Sequence, residues 1–299
     1  MPETVVADDE GLLALREEYL QAVADGAEAF TATFRPGVLG LDPEHPSGDI
    51  SLAPPDAADP PPIDVVLRSE GLTALSNLPL RIAARSVTIE GLAFVKALRP
   101  ALRVTATRGI ELTGVVVLDS QADARQRAVV DLSAWGPGVT LDIVGSTFAR
   151  SSAPDALLGC YAASGGWFER VRLEQTTLEG ATADAALAIE AVSSLELDRS
   201  MLGAGHARIL VRMEWPPKSG TISGCSLSGP AGALFEVAHP APVEVEPMLL
   251  AASRLSGDVP ATFATQESVE RIARSSLDEE IAGSVAVADR RVASATGAT

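Results

Sequence analysis

The sequence predicts an all-β protein: a right-handed, single-stranded parallel β-helix of about eight to ten coils with an N-terminal capping helix. Three observations predict it. A six-residue phrase recurs along most of the chain, a second short apolar run precedes most copies of it, and the hydrophobic residues are aliphatic. Hydrophobic residues make up 46% of the 299 positions and aromatic ones only 4%. Such a core suits thin stacked layers of Val, Leu, Ile and Ala better than one bulky centre.

The phrase reads apolar, any, often Gly, small, any, apolar. It appears as Ile89-Glu-Gly-Leu-Ala-Phe94, Leu112-Thr-Gly-Val-Val-Val117, Ile143-Val-Gly-Ser-Thr-Phe148 and Leu173-Glu-Gln-Thr-Thr-Leu178. It continues as Leu197-Asp-Arg-Ser-Met-Leu202, Ile222-Ser-Gly-Cys-Ser-Leu227, Leu250-Ala-Ala-Ser-Arg-Leu255 and Ile272-Ala-Arg-Ser-Ser-Leu277. Between their last residues the steps are 23, 31, 30, 24, 25, 28 and 22 residues. A three-strand coil needs a step in the low twenties and tolerates insertion at its turns. Because side chains alternate along a strand, Val87 and Ile89 should point inward while Thr88 and Glu90 point out. Gly at the third position permits a sharp corner. The fourth position (Leu92, Val115, Ser146, Thr176, Ser200, Cys225, Ser253, Ser275) becomes a column of small residues able to share hydrogen bonds between coils. The preceding runs are Ala128–Leu132, Ala156–Cys160, Ala185–Ile189, Ala207–Val211 and Ala233–Val237.

Residues 1–30 form an N-terminal segment with the capping helix, on which Asp8 and Asp9 can cap and Leu12, Tyr19, Leu20 and Val23 share a face. That helix would plug an open coil end whose strand edges otherwise invite aggregation. The coil body spans 31–283, with the proline-rich stretch 42–62 as a loop thrown out from it. Residues 284–299 read as a terminal strand and flexible tail.

This periodicity, from Ile63 to Leu277, resembles the pectin-lyase-like superfamily of right-handed β-helices, in its non-catalytic branch. The resemblance rests on repeat style. It implies a family that holds polysaccharide lyases and hydrolases, phage tailspikes, adhesins and assembly parts, among which fold alone does not choose. Its catalytic signatures fail residue by residue. In Leu98-Arg-Pro-Ala-Leu-Arg103, the lyase pattern Arg-x-Pro-x-x-Arg needs arginine where Leu98 stands, although Arg99, Pro100 and Arg103 are present. Gly205-His206-Ala207 with Arg208-Ile209 resembles a polygalacturonase fragment, but the companion Gly-His-Gly, Asn-Thr-Asp and paired aspartates are missing. Aspartate-rich calcium loops, a phosphate loop, zinc spacing and a nucleophile elbow are also missing, so no metal or cofactor is expected.

Charge narrows the partners. The net charge of −17, with Lys96 and Lys218 as the lysines, argues against nucleic acid and anionic membrane surfaces. No apolar stretch reaches the length of a spanning helix, and the acidic start Met1–Glu10 lacks a secretory pattern; synthesis in the cytoplasm is expected, with release possible as part of an assembled particle. Cys160 and Cys225 read as two small buried thiols.

Two sets of residues are candidates for function. Carboxylates should line the outward face of the repeating strand, with Asp142, Glu174, Glu196 and Asp198 as the candidate acid and base positions. The plainer reading is that Asp142, Arg172 and Glu196 occupy one column in successive coils and simply pair, each exposed pair contributing about 0–1 kcal/mol. Trp135, Trp167 and Trp215 each fall shortly before a phrase, at turns marked by Gly136-Pro-Gly138, Gly165-Gly166 and Pro216-Pro217. An aromatic stripe there, with Arg172, would bind a glycan; the plainer reading is that the rings cap turns. The insertion Asp119–Arg127 adds a charged loop, which is either a binding place or only solvated. The function expected is thus a non-catalytic structural or binding protein whose partner is an assembly protein or a polysaccharide, as in a phage-tail-like or contractile injection particle. The alternative is a divergent polysaccharide lyase or glycoside hydrolase. Oligomeric state has no signature in the sequence.

Overall fold

The structure, a computed structural model, describes residues 3–40, 49–55, 59–203, 205–215, 217–228, 233–238, 249–251 and 254–256. It is mostly β, with one N-terminal helix and a long parallel sheet that curls through 283°. All the strand pairings described are parallel, and they sort into three stacks. The first stack runs through Glu3–Val6, Ala29–Phe34, residues 64–69, 86–90 and 109–113, then Val139–Val144, Phe168–Glu174, Val192–Asp198, Ser219–Ser223 and Leu249–Ala251. The second holds three- or four-residue strands, among them Val116–Leu118, Thr147–Ala149, Thr177–Glu179 and Ser226–Ser228. The third includes Ile50–Leu52, residues 80–84 and 102–106, Ala128–Trp135, Ala156–Ala163, Ala185–Ile189, Ile209–Met213 and Ala233–Val237. The chain visits first, second and third stack in turn, and each visit pairs with the corresponding visit of the coil before.

The repeated phrase spans the corner between the first and second stacks. Its third residue adopts a left-handed conformation in coil after coil: Gly91, Gly114, Gly145, Gln175, Arg199 and Gly224, with φ between 45° and 69°. Glycine enters that region freely, whereas Gln175 and Arg199 are held there against a steric cost of roughly 1–2 kcal/mol. A second left-handed column, Asn77, Lys96, Asp119, Arg150 and Gly180, closes the other end of the short strand. Two such bends hold that strand to three or four residues.

The small column behind the first corner satisfies buried amides. Val115 N–H donates to Ser146 Oγ at 3.1 Å, Thr176 N–H to Ser200 Oγ at 3.1 Å, and Ser200 N–H to Cys225 Sγ at 3.5 Å. Each hydroxyl in turn donates to a carbonyl two residues back: Ser146 to Val144 at 3.1 Å, Thr176 to Glu174 at 3.1 Å, Ser200 to Asp198 at 2.9 Å. A corner built this way leaves few buried polar groups orphaned.

Inside, like side chains stack on like. Ile89, Leu112, Ile143, Leu173, Leu197 and Ile222 form one inward column, and Phe94, Val117, Phe148, Leu178, Leu202 and Leu227 another; all are buried. Each such side chain contributes roughly 1.5–3 kcal/mol by leaving water.

The helix Asp9–Ala24 follows the first strand, so the sheet begins before the helix at Glu3. Asp8 caps it by accepting from Gly11 N–H at 2.9 Å, and Asp9 and Glu10 complement the positive end of its dipole. Leu12, Leu15, Tyr19 and Ala22 are its buried face, with Leu20 and Val23 partly buried beside them. Tyr19 donates to Ala83 O at 2.7 Å and packs edge-on against Phe30, which fixes the helix over the first coils. The proline-rich stretch 42–62 contains a strand that composition alone concealed. Ile50–Leu52 pairs with Leu80–Ile82, because Ile50 and Leu52 alternate into the core between the prolines. The phrase Ile272–Leu277 and the tail 284–299 lie outside the described residues.

Candidate functional site

The outward face of the first stack carries the candidate carboxylates, and register brings them together. Asp142 pairs with Arg172 and Arg172 with Glu196, while Glu174 pairs with Asp198 in the next column. Each carboxylate is held by arginine. Asp142 takes a two-oxygen contact from Arg170 Nη2 at 2.9 and 2.8 Å. Arg172 reaches Glu174 at 2.5 Å and Glu196 at 3.9 Å, and Arg199 bridges Glu174 and Asp198. Asp198 also accepts from Ser223 Oγ at 2.7 Å; that hydrogen bond, with Arg199 nearby, holds its carboxyl below the ordinary range. At Asp198 this arrangement favours the anionic carboxylate over a proton donor.

The tryptophans are not one column. Trp135 is the last residue of a third-stack strand, in register with Ala163, and donates from Nε1 to Asp59 at 3.0 Å. Trp167 lies in the turn leading back to the first stack, bonded through its backbone to Gly136 and Val139. Trp167 and Trp215 are each 41% exposed. The coil between them carries Ala191 at the corresponding turn, since Phe168 N–H donates to Ala191 O and Glu214 N–H to Ile189 O. Their backbones therefore stand two coils, about 10 Å, apart with a small residue between.

At the corner between the second and third stacks lies a groove of about 450 Å³. Gln121, Ser152, Thr182 and His206 line it, with the Asp119–Arg150 ion pair at 2.9 Å along one side. Gln121, Ser152 and Thr182 sit in line on successive coils through isolated parallel bridges. The groove thus offers a regular row of neutral hydrogen-bonding groups, together with His206.

The outward face of the third stack is a different environment. Strands Ala156–Ala163 and Ala185–Ile189 are buried on both faces over most of their length. Ala128, Ala156, Ala185 and Ala188 form a small-residue floor, over which Tyr161 is 3% exposed. The Tyr161 ring lies across Gly159, where a Cβ would come within 2.3 Å of ring carbons. Arg127 stacks 3.7 Å above the ring centroid, and Tyr161 donates to Asp155 at 2.8 Å. Arg127 also pairs with Glu190, and Arg212 pairs with Asp155 at 2.5 Å and Asp184 at 2.6 Å. Burial pushes the Tyr161 hydroxyl well above its ordinary pKa, so it stays protonated as a donor.

Asp131 was not a sequence candidate. It is 7% exposed, held by Arg103 at 3.2 Å and Ser133 at 3.1 Å, and burial raises its carboxyl above the ordinary value. The signal was an acid inside the apolar run Ala128-Val-Val-Asp-Leu132. Cys160 and Cys225 are buried thiols, both raised by desolvation. Among the described residues no group of three or more His, Cys, Asp or Glu side chains could hold a metal ion, and no helix is long and apolar enough to cross a membrane.

No protein-family model matches the chain, the pectin-lyase-like superfamily included, and no curated protein sequence matches it. Among solved structures it is similar to ORF18 of Geobacillus virus E2, with 9% identity and a TM-score of 0.46, over 87% of this chain and 62% of that one. A likeness at that level carries no functional weight, and the chain spans less than two thirds of the viral protein.

Proposed function

We propose that the chain is a non-catalytic, right-handed β-helix that presents a rigid outer face to a polymeric partner. That partner is a glycan, or a protein of an assembly such as a phage-tail-like or contractile injection particle. The right-handed sense is supported by a general preference, since crossovers between parallel strands of one sheet are right-handed in about 98% of cases. The observation that carries the non-catalytic reading is arginine pairing at every candidate acid. Hydrolysing a glycosidic bond in the usual way needs a pair of carboxyl groups free to act on the substrate as acid and base. Asp142, Glu174, Glu196 and Asp198 instead sit in guanidinium contacts. The exposed rings of Trp167 and Trp215, and the polar row Gln121, Ser152 and Thr182, suit a polyhydroxylated chain lying along the coils.

The test is a screen of the purified protein against neutral and acidic glycans, read for both binding and turnover. Binding without turnover, reduced by Trp167→Ala in a protein that stays folded, is the expected result. Turnover abolished by Asp142→Ala or Glu196→Ala with the fold intact would overturn the non-catalytic reading in favour of a divergent lyase or hydrolase.

A further inference from the structure

Several coils before Tyr161, the third stack gathers arginines that take no part in the first-stack ladder. Arg81 and Arg103 are register partners on neighbouring strands, so their backbones stand one strand spacing, about 4.8 Å, apart. Like charges placed directly opposite in a sheet repel and destabilise it. Arg99, on the turn between those strands, joins them in lining a pocket of about 40 Å³ together with Asp49 and Gln126.

The charges in this pocket are unevenly compensated. Arg99 is held by both oxygens of Asp49 at 3.1 Å, and Arg103 gives its Nε to Asp131 at 3.2 Å. Arg81 is exposed, and its side chain makes no hydrogen bond or ion pair among the described residues. Gln126 Oε1 is buried without a hydrogen-bond partner. Because amide oxygen and nitrogen exchange places by a simple flip, that side chain can equally present its NH₂ group to the pocket. Three arginines and Gln126 thus line a small space, beside Pro79, Leu80 and Pro100, in a chain whose net charge is −17. A water needs roughly 10–15 Å³ of such space, so this pocket fits a compact group of a few heavy atoms and not a sugar ring.

We infer that the pocket formed by Arg81, Arg99, Arg103 and Gln126 binds an oxyanionic group, a carboxylate, sulfate or phosphate, borne by an acidic polymer. Planar guanidinium forks match such groups geometrically, and the group would relieve the repulsion between Arg81 and Arg103. This inference rests on the binding reading above and narrows its partner to a polymer carrying acidic substituents.

The experiment is calorimetric titration of the full chain at low ionic strength with sodium sulfate, sodium phosphate, an oligouronate and a neutral oligosaccharide. The wild type is expected to bind the oligouronate and at least one inorganic anion saturably. Arg81→Gln should weaken that binding about tenfold or more, because each charge-assisted hydrogen bond is strong. Raising NaCl should weaken it as well. Arg81 is exposed and without partners, so the variant is expected to keep its fold, which thermal unfolding checks; Gln126→Leu gives an independent second variant. Saturable binding of none of the anions overturns the inference, as does undiminished binding by Arg81→Gln and Gln126→Leu together. Binding of inorganic anions without the oligouronate overturns the assignment of an acidic polymer. Binding of the neutral oligosaccharide, sensitive to Trp167→Ala, survives each of these failures, whereas its absence alongside anion binding removes the neutral-glycan part of the proposed function and leaves the pocket standing.

Discussion

The outward faces of the first and third stacks are built from the same backbone and solve different problems. On the first, inward and outward residues alternate cleanly, as in Val139–Val144, where the outer positions are partly buried and Asp142 is paired with Arg170. On the third, strands such as Ala156–Ala163 are buried on both sides, because small residues and Gly159 let Tyr161 lie flat against the sheet. One face is covered by ion pairs that contribute little individually. The other adds a second packed layer outside the coil, tied together by Arg127, Asp155, Glu190 and Arg212.

This contrast can be broken by substitution. Gly159→Ala should cost about 2–3 kcal/mol, since a Cβ there displaces the Tyr161 ring and its bond to Asp155. A matched change on the first stack, Thr140→Ala, should cost less than about 0.5 kcal/mol because its side chain is only partly buried. Equal losses in urea unfolding would erase the distinction. At the corner that serves the whole coil, Ser200→Ala should cost about 1–2 kcal/mol by stranding the buried Thr176 amide. Asp142→Ala should cost less than about 1 kcal/mol, with the loss shrinking further in high salt.

The subtlest contrast is in pH dependence. The Asp131 carboxyl lies above its ordinary value of 3.8 because it is desolvated, so the folded protein holds that proton to higher pH than the unfolded chain does. Its contribution to stability is full below the unfolded value and is lost as pH rises through the folded one. Asp198, lowered by Ser223 and Arg199, behaves oppositely: its contribution is present above the unfolded value and is lost as pH falls through the folded one. Melting temperatures followed across the acid range should therefore show Asp131→Asn gaining on the wild type as pH rises, and Asp198→Asn gaining on it as pH falls. Parallel profiles for the two variants would refute the assignment.

The corner was the most legible part of the sequence. The glycines of the phrase and the small residues after them report a left-handed bend and the amide it must satisfy, and both recur at fixed spacing. Gln175 and Arg199 keep the same geometry without the glycine signal, and only their place in the repeat reveals them. The strand Ile50–Leu52 was hidden because three residues flanked by prolines give too short a pattern for alternation to show. Tyr161 over Gly159 and the Arg81–Arg103 neighbours were hidden for another reason. Cross-coil partners lie more than 20 residues apart, at offsets that change with every turn insertion, so composition does not disclose which side chains meet.

The paired left-handed bends around each short strand have a consequence for how such a molecule changes over time. They act as a ruler: that side of the rod cannot lengthen or shrink by single residues without breaking a column of hydrogen bonds. Size can vary there only by adding or deleting whole turns, while insertions are taken up beyond the bends, as at Asp119–Arg127. Change on that side comes in quantised steps, one turn at a time.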